Sequence, residues 1–182
     1  MKIKLNGVRH AFCNLFEATD FEGDGNFKFR DTFLIPKNSE LDKQIWAAVR
    51  KVAKDAWGDK YEKILESIKH IPNRAGYRDG DTKSEYEGFE GHMFLAASNK
   101  ARPLVIDRDR SPLVAADGRP YSGCFVNATV TVYAYDNKGK GIGFSLGGVQ
   151  FFKDGDAFSG GGVATTDDFD DISEGADASD LV

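Results

Sequence analysis

The residues best suited to chemistry are two tyrosines and a set of cations. Tyr133 and Tyr135 stand two apart in the run GCFVNATVTVYAY (123–135), so on an extended strand their rings share one side. Lys138 and Lys140 follow at once. Lys28 and Arg30 show the same spacing in NFKFRDTFLI (26–35), where they alternate with Phe27, Phe29, Phe33 and Ile35. Exposed aromatic faces stack on unpaired bases, and nearby Lys or Arg neutralise phosphates. Tyr77, Arg78, Lys100 and Arg102 join this candidate surface, and Arg9, Lys37 and Arg108 extend it. The competing reading is that the tyrosines cover a second small core against a helix, where strand aromatics usually pack.

Other constellations fail on particular residues. Asp20, Glu22, Asp24 and Gly25 match positions one, three, five and six of a calcium loop. Position nine is Lys28, position twelve is Asp31 rather than Glu, and the flanks alternate like strands, so a plain hairpin loop is favoured. Asp107 and Asp109 suggest the paired carboxylates of a metal-dependent nuclease, but Arg108 and Arg110 make a solvated ion-pair loop the better reading. His10, His70 and His92 lack metal-ligand spacing. The run from Gly139 to Gly143 is followed by no helix, as a phosphate loop requires. There is no nucleophile–base signature. The expectation is a non-enzyme with no cofactor and no metal.

The elements that must position these residues follow from periodicity. Strands are expected at 8–17, 26–35, 92–98, 103–107, 123–135 and 141–152. Cys124, Val126, Ala128, Val130, Val132 and Ala134 form the inner row of the strongest one. Asp136-Asn137-Lys138-Gly139 reads as its hairpin turn, and Gly147-Gly148 as a bulge. Asn38 or Ser39 caps a helix over about 40–57, with Leu41, Ile45, Ala48, Val49, Val52 and Ala56 at helical spacing and Gly58 at its end. A shorter helix covers 60–69, and 72–90 reads as a long functional loop. The fold class is mainly β with inserted helices: a small, partly closed antiparallel barrel of OB-like type, plus a disordered acidic C-terminal tail.

Charge separates that tail from the rest. Seven of the 29 acidic residues lie within 167–182, which holds no Lys or Arg, so residues 1–166 set 24 basic residues against 22 acidic ones. Such a segment buries too little apolar surface to offset its ordering entropy. Phe169 and Ile172 sit inside the acid run, as in a peptide that docks on a partner. The domain reading is 1–158 for the barrel (helical insertion 39–69), 159–166 for a Gly-rich hinge and 167–182 for the tail. Cys13 and Cys124 lie too far apart in sequence for a metal knuckle, and with no signal-peptide pattern they fit a reduced, cytoplasmic setting. No stretch is apolar enough for a membrane span.

Two resemblances sharpen this. Asp167-Asp168-Phe169-Asp170-Asp171-Ile172 resembles the acidic C-terminal peptide of bacterial single-stranded DNA-binding proteins. The block Tyr121–Ala128, then Tyr133–Asp136, Lys140–Ile142 and Gly148–Phe151, is similar to a phage family long catalogued as a domain of unknown function and associated with single-stranded DNA binding. Phe33–Lys37 and Arg102–Asp107 fit the same pattern. The resemblance implies an OB fold and sequence-tolerant binding of single-stranded DNA in phage replication or recombination; weak binding of duplex DNA stays open. It also implies a tail that competes with DNA and recruits replication or recombination proteins. The binding strands map onto Lys28 and Arg30 and onto Tyr133 and Tyr135. A homodimer stays open. The alternative is a protein-interaction adaptor with a solubilising tail.

Overall fold

The first strand, β1 (Lys2–Thr19), is eighteen residues long and serves two neighbours. Two irregularities make this possible. Gly7 takes φ +64° at a register shift between Leu5 and Val8, and Phe12 takes φ +54° at a shift between Ala11 and Asn14. The shifts bend the strand, so its first half pairs with β6 (Phe125–Asp136) and its second half with β2 (Lys28–Pro36). This computed structural model describes residues 1–20, 23–158 and 169–173.

β2 continues antiparallel onto β4 (His92–Asn99), and β6 returns through a tight turn to β7 (Lys140–Lys153). A bridge between Ser98 and Ser145 joins β4 to β7 and closes a five-strand barrel in the order β1–β2–β4–β7–β6. That closing contact is parallel, and so is the pairing of β5 (Leu104–Ile106) with β7. The barrel is therefore mixed, where the alternation pattern suggested a purely antiparallel one. Gly147 is the extra residue of the expected bulge: Thr129 faces Gly148, and Val130 faces Leu146.

Between β2 and β4 lie α1 (Glu40–Trp57), α2 (Tyr61–Ile68) and the three-residue strand β3 (Tyr77–Asp79). The Ser39 hydroxyl accepts from the Asp42 amide at 3.2 Å, which fixes the start of α1, and Gly58 at φ +64° ends it. α1 turns Ile45, Ala48, Val49 and Ala53 onto the barrel end. Burying each of the larger side chains contributes about 1.5–3 kcal/mol. β3 and the helical turn Gly80–Lys83 occupy part of the expected 72–90 loop, because β3 pairs with the edge of β4 that β7 leaves free.

The barrel interior is filled from every strand, with Leu5, Phe33, Ile35, Leu95, Val126, Val130 and Leu146 fully enclosed. A second, smaller cluster sits outside the barrel wall: Ala11, Leu34, Phe89 and Phe94, with Phe158 against them. No helix among the described residues is long and apolar enough to cross a membrane. The Gly-rich hinge at 159–166, Asp167, Asp168 and residues 174–182 lie outside the described residues.

Candidate nucleic-acid interface

Residues directly opposite one another in a sheet project to the same side. The registers of β1, β2, β4 and β3 therefore define rows across the outer wall. One row runs Arg9, Leu34, Phe94, Arg78. The next holds Ala11, Thr32 and Ala96, and a third holds Asn14, Arg30 and Ser98. Two arginines thus bracket an apolar pair, and a third lies about 13 Å along the strands. Phe29 faces Asn99, which brings Lys100 beside Lys28. Arg102 follows, and its guanidinium donates to the Phe16 carbonyl of β1 at 3.0 Å.

Two of these cations are short of polar partners. The Nε atoms of Arg30 and Arg78 are buried without a hydrogen-bond acceptor, and no ion pair among the described residues holds either side chain. The Arg78 guanidinium lies 4.7 Å over the Phe94 ring, and burial pulls its pKa below the usual value. Among the described residues the charge of both arginines is left without a carboxylate partner on this face, which favours an anionic ligand there.

The tyrosines occupy another part of the surface, at the β6–β7 hairpin. Their rings lie over glycines of β7. A Cβ on Gly141 would fall 2.3 Å from the Tyr135 ring, and one on Gly143 would fall 2.5 Å from the Tyr133 ring. The rings are 6.1 Å apart. Tyr133 is 44% exposed, whereas Tyr135 is half-buried and donates to the Asn73 carbonyl at 2.6 Å. Lys138 is exposed at φ +57°, and its carbonyl accepts from Arg74. Lys140 is paired with Asp136 at 3.1 Å, an exposed bridge of little strength. The hairpin and the cationic wall are connected through 74–78. Ile142 donates to the Arg74 carbonyl and accepts from Gly76, whose own carbonyl accepts from Ala96 of β4.

Tyr77 does not belong to this surface. It is 4% exposed, packs against Trp46 of α1, and its hydroxyl donates to Asp42 at 2.7 Å. Burial, with the Asp42 contact, pushes its pKa up. As part of the core it cannot stack on a base. One further expectation for β2 is corrected: Phe27 lies outside the strand and is 58% exposed. Asp31 takes an inward place among the phenylalanines, bonded to His10. Leu34 covers part of the outer face that alternation left to cations.

The acidic candidates are engaged elsewhere. Asp107 binds Arg119 at 2.6 Å, and Asp109 accepts from the Ser111 amide and hydroxyl. These donors hold both carboxyls below their usual range. Asp20 caps the amides of Asp24 and Gly25. Among the described residues no group of three His, Cys, Asp or Glu could hold a metal ion.

Sequence reasoning left three features of the wall out. The exposed rings of Phe12 and Tyr86 stand beside the second cluster. Residues 154–158 form a strap across it: Tyr121 donates to Asp154, Arg9 donates to the Gly123 and Asp156 carbonyls, and Phe158 lies 4.1 Å under the Arg9 guanidinium. All depend on contacts distant in sequence. Arg9 was the one visible hint, as a lone cation on a strand.

The model of a protein family described as "Enterobacter phage Enc34, ssDNA-binding protein" matches residues 1–182. The chain belongs to this family. A relative from Acyrthosiphon pisum secondary endosymbiont phage 1, "Putative protein p50", is 60% identical over 175 residues, 95% of each chain. The single-stranded DNA-binding protein of bacteriophage Enc34, solved in complex with single-stranded DNA, superposes with a TM-score of 0.73 at 25% identity. That match covers 87% of this chain and 89% of the other. A second structure of the Enc34 single-stranded DNA-binding protein gives 0.71 at 26% identity, over 93% and 90%. The gp2.5 single-stranded DNA-binding protein of bacteriophage T7 gives 0.58 at 11% identity over 97% and 99%, a likeness of fold. The family expected from Tyr121–Phe151 is thus the family found.

Proposed function

We propose that this protein binds single-stranded DNA with little regard to sequence, along the outer wall of β1, β2, β4 and β3 and onto the β6–β7 hairpin. The observation that carries the reading is the pair of Arg30 and Arg78, both with buried, unpartnered Nε atoms on one sheet face. Membership of a phage single-stranded DNA-binding family supports it. Phosphates follow Arg30, Arg78, Lys28, Lys100 and Arg102, and bases meet the exposed aromatic rings. No bond is made or broken; the work is electrostatic capture plus stacking.

The acidic segment fits the same scheme. Phe158 is the last described residue before it, and Phe158 sits on the wall itself, against Leu34. Asp167, Asp168, Asp170 and Asp171 would compete with phosphates for the arginines. When DNA displaces the segment, Phe169 and Ile172, 71% and 73% exposed, become anchors for replication or recombination proteins of the phage.

Fluorescence anisotropy with labelled oligo-dT at two salt concentrations, and unlabelled duplex as competitor, tests the reading. Tight binding that weakens steeply with salt and resists duplex is expected. No binding at low salt, even after removal of 159–182, would overturn it and favour a protein-docking adaptor.

A further inference from the structure

Phe12 is held in a conformation that its own chemistry disfavours. Its φ of +54° lies in the left-handed region, within a strand rather than at a turn, and its ring is 48% exposed. A bulky residue placed there carries backbone strain. Turning an apolar ring to water adds nothing to stability. The bulge between Ala11 and Asn14 expels it from the pleat, out onto the wall.

The ring meets a second one there. Tyr86, 42% exposed on the loop before β4, stands edge-on to Phe12 with centroids 5.1 Å apart. Phe89 lies beneath both, at 6.0 Å from Phe12 and 5.6 Å from Tyr86, and is itself seated on Phe94 at 5.3 Å. Two exposed rings are thus braced from below by two buried ones. The row that contains Phe94 is flanked by Arg9 and Arg78. An aromatic corner between cations suits a flat, uncharged ring on an anionic chain.

We infer that Phe12 and Tyr86 form a stacking site for one unpaired nucleobase, and that this site gives the protein its preference for single strands over duplex. The inference rests on the proposed function. The arginines attract any nucleic acid, since phosphates are common to both forms. A base offers its π-face only when unpaired, so the stacking site discriminates where the cations do not. The bulge strain is retained because it presents the ring.

Phe12→Gly separates this role from folding, because glycine takes a positive φ without strain. The variant is expected to melt no lower than the wild type. It should bind oligo-dT about tenfold or more weakly, within the range measured for loss of one stacked base. Its salt dependence and duplex affinity should be unchanged. Tyr86→Ala should behave alike, and Phe12→Trp should show tryptophan quenching on addition of oligo-dT. Wild-type affinity in Phe12→Gly, with binding still weakened in Arg30→Gln, would overturn the stacking site and leave the proposed function standing. Absence of oligo-dT binding by the wild type would overturn both.

Discussion

The His10 Nδ1 lies 2.7 Å from Asp31 Oδ2, and neither side chain has exposed surface. His10 Nε2 is 2.9 Å from the Tyr121 carbonyl, which can only accept, so Nε2 carries a hydrogen. A further proton must therefore lie between Nδ1 and the carboxylate. Burial lowers the His10 pKa, but the Asp31 charge and hydrogen bond outweigh it and hold it well above its ordinary value. Burial raises the Asp31 pKa as well. Both shifts describe one retained proton, clamped between β1 and β2 beneath the cationic wall.

Removing either partner strands the other in the core. His10→Ala or Asp31→Ala should destabilise the fold by about 3–5 kcal/mol, read by urea unfolding at neutral pH.

The same pair sets a pH dependence. A raised folded pKa on His10 contributes stability that is complete below about pH 6.5 and is lost as pH rises through the folded value. The melting temperature should fall on the alkaline side, and Asp31→Asn should flatten that fall. An equal slope in the variant would assign it to another group.

Arg30→Gln and Arg78→Gln should each weaken oligo-dT binding. Each should also reduce the slope of log affinity against log salt by about 0.7, one phosphate contact on a single strand. Arg30→Gln should leave the melting point near the wild-type value, because its buried Nε has no bond to lose, whereas Arg78→Gln also gives up the contact over Phe94. A slope unchanged in both would move the phosphate path off this wall.

Tyr133→Ala combined with Tyr135→Ala should weaken DNA binding while the barrel persists, since both rings lie on the outer side of β7 glycines rather than in the core. Circular dichroism on the double variant decides. Unfolding would make the rings structural.

Gly123→Ala should release the strap. Its φ is +105°, and a Cβ there would sit 2.3 Å from the Asp156 carbonyl and within 3 Å of the Ala157 and Phe158 backbone. Hydrogen exchange at the Phe158 amide, which donates to Ser122, should speed up while amides of β6 stay protected. Unaltered exchange would mean that the strap tolerates the shift.

Local sequence carried some of this and concealed the rest. α1 was legible to the residue, because Ser39, Gly58 and a helical apolar stripe all act within a few positions. β6 was legible because strict alternation survives along it. β1 was seen only in part, since Gly7 and Phe12 break its alternation twice. Tyr77 was misread as exposed: its neighbours are polar, and only pairing with β4 and the reach of Asp42 bury it. Lys28, Arg30 and Arg78 do fall on one wall, but the register that unites them comes from β1, β2, β4 and β3 together. The buried pairing of Asp31 was not legible, because its partner His10 lies twenty-one positions earlier.

The closing of the barrel by β7 has a consequence for synthesis. β1 leaves the ribosome well before one of its partners, Phe125–Asp136, and β4 waits for Ser145. Until about residue 153 has emerged, the nascent chain holds an open sheet with bare edges, a state prone to aggregate. Such distant pairings also fold slowly. The first residues to appear after closure are the strap and then the acidic run. Their negative charge therefore arrives just as the arginine wall is assembled, when nucleic acid in the surrounding cell could first be captured.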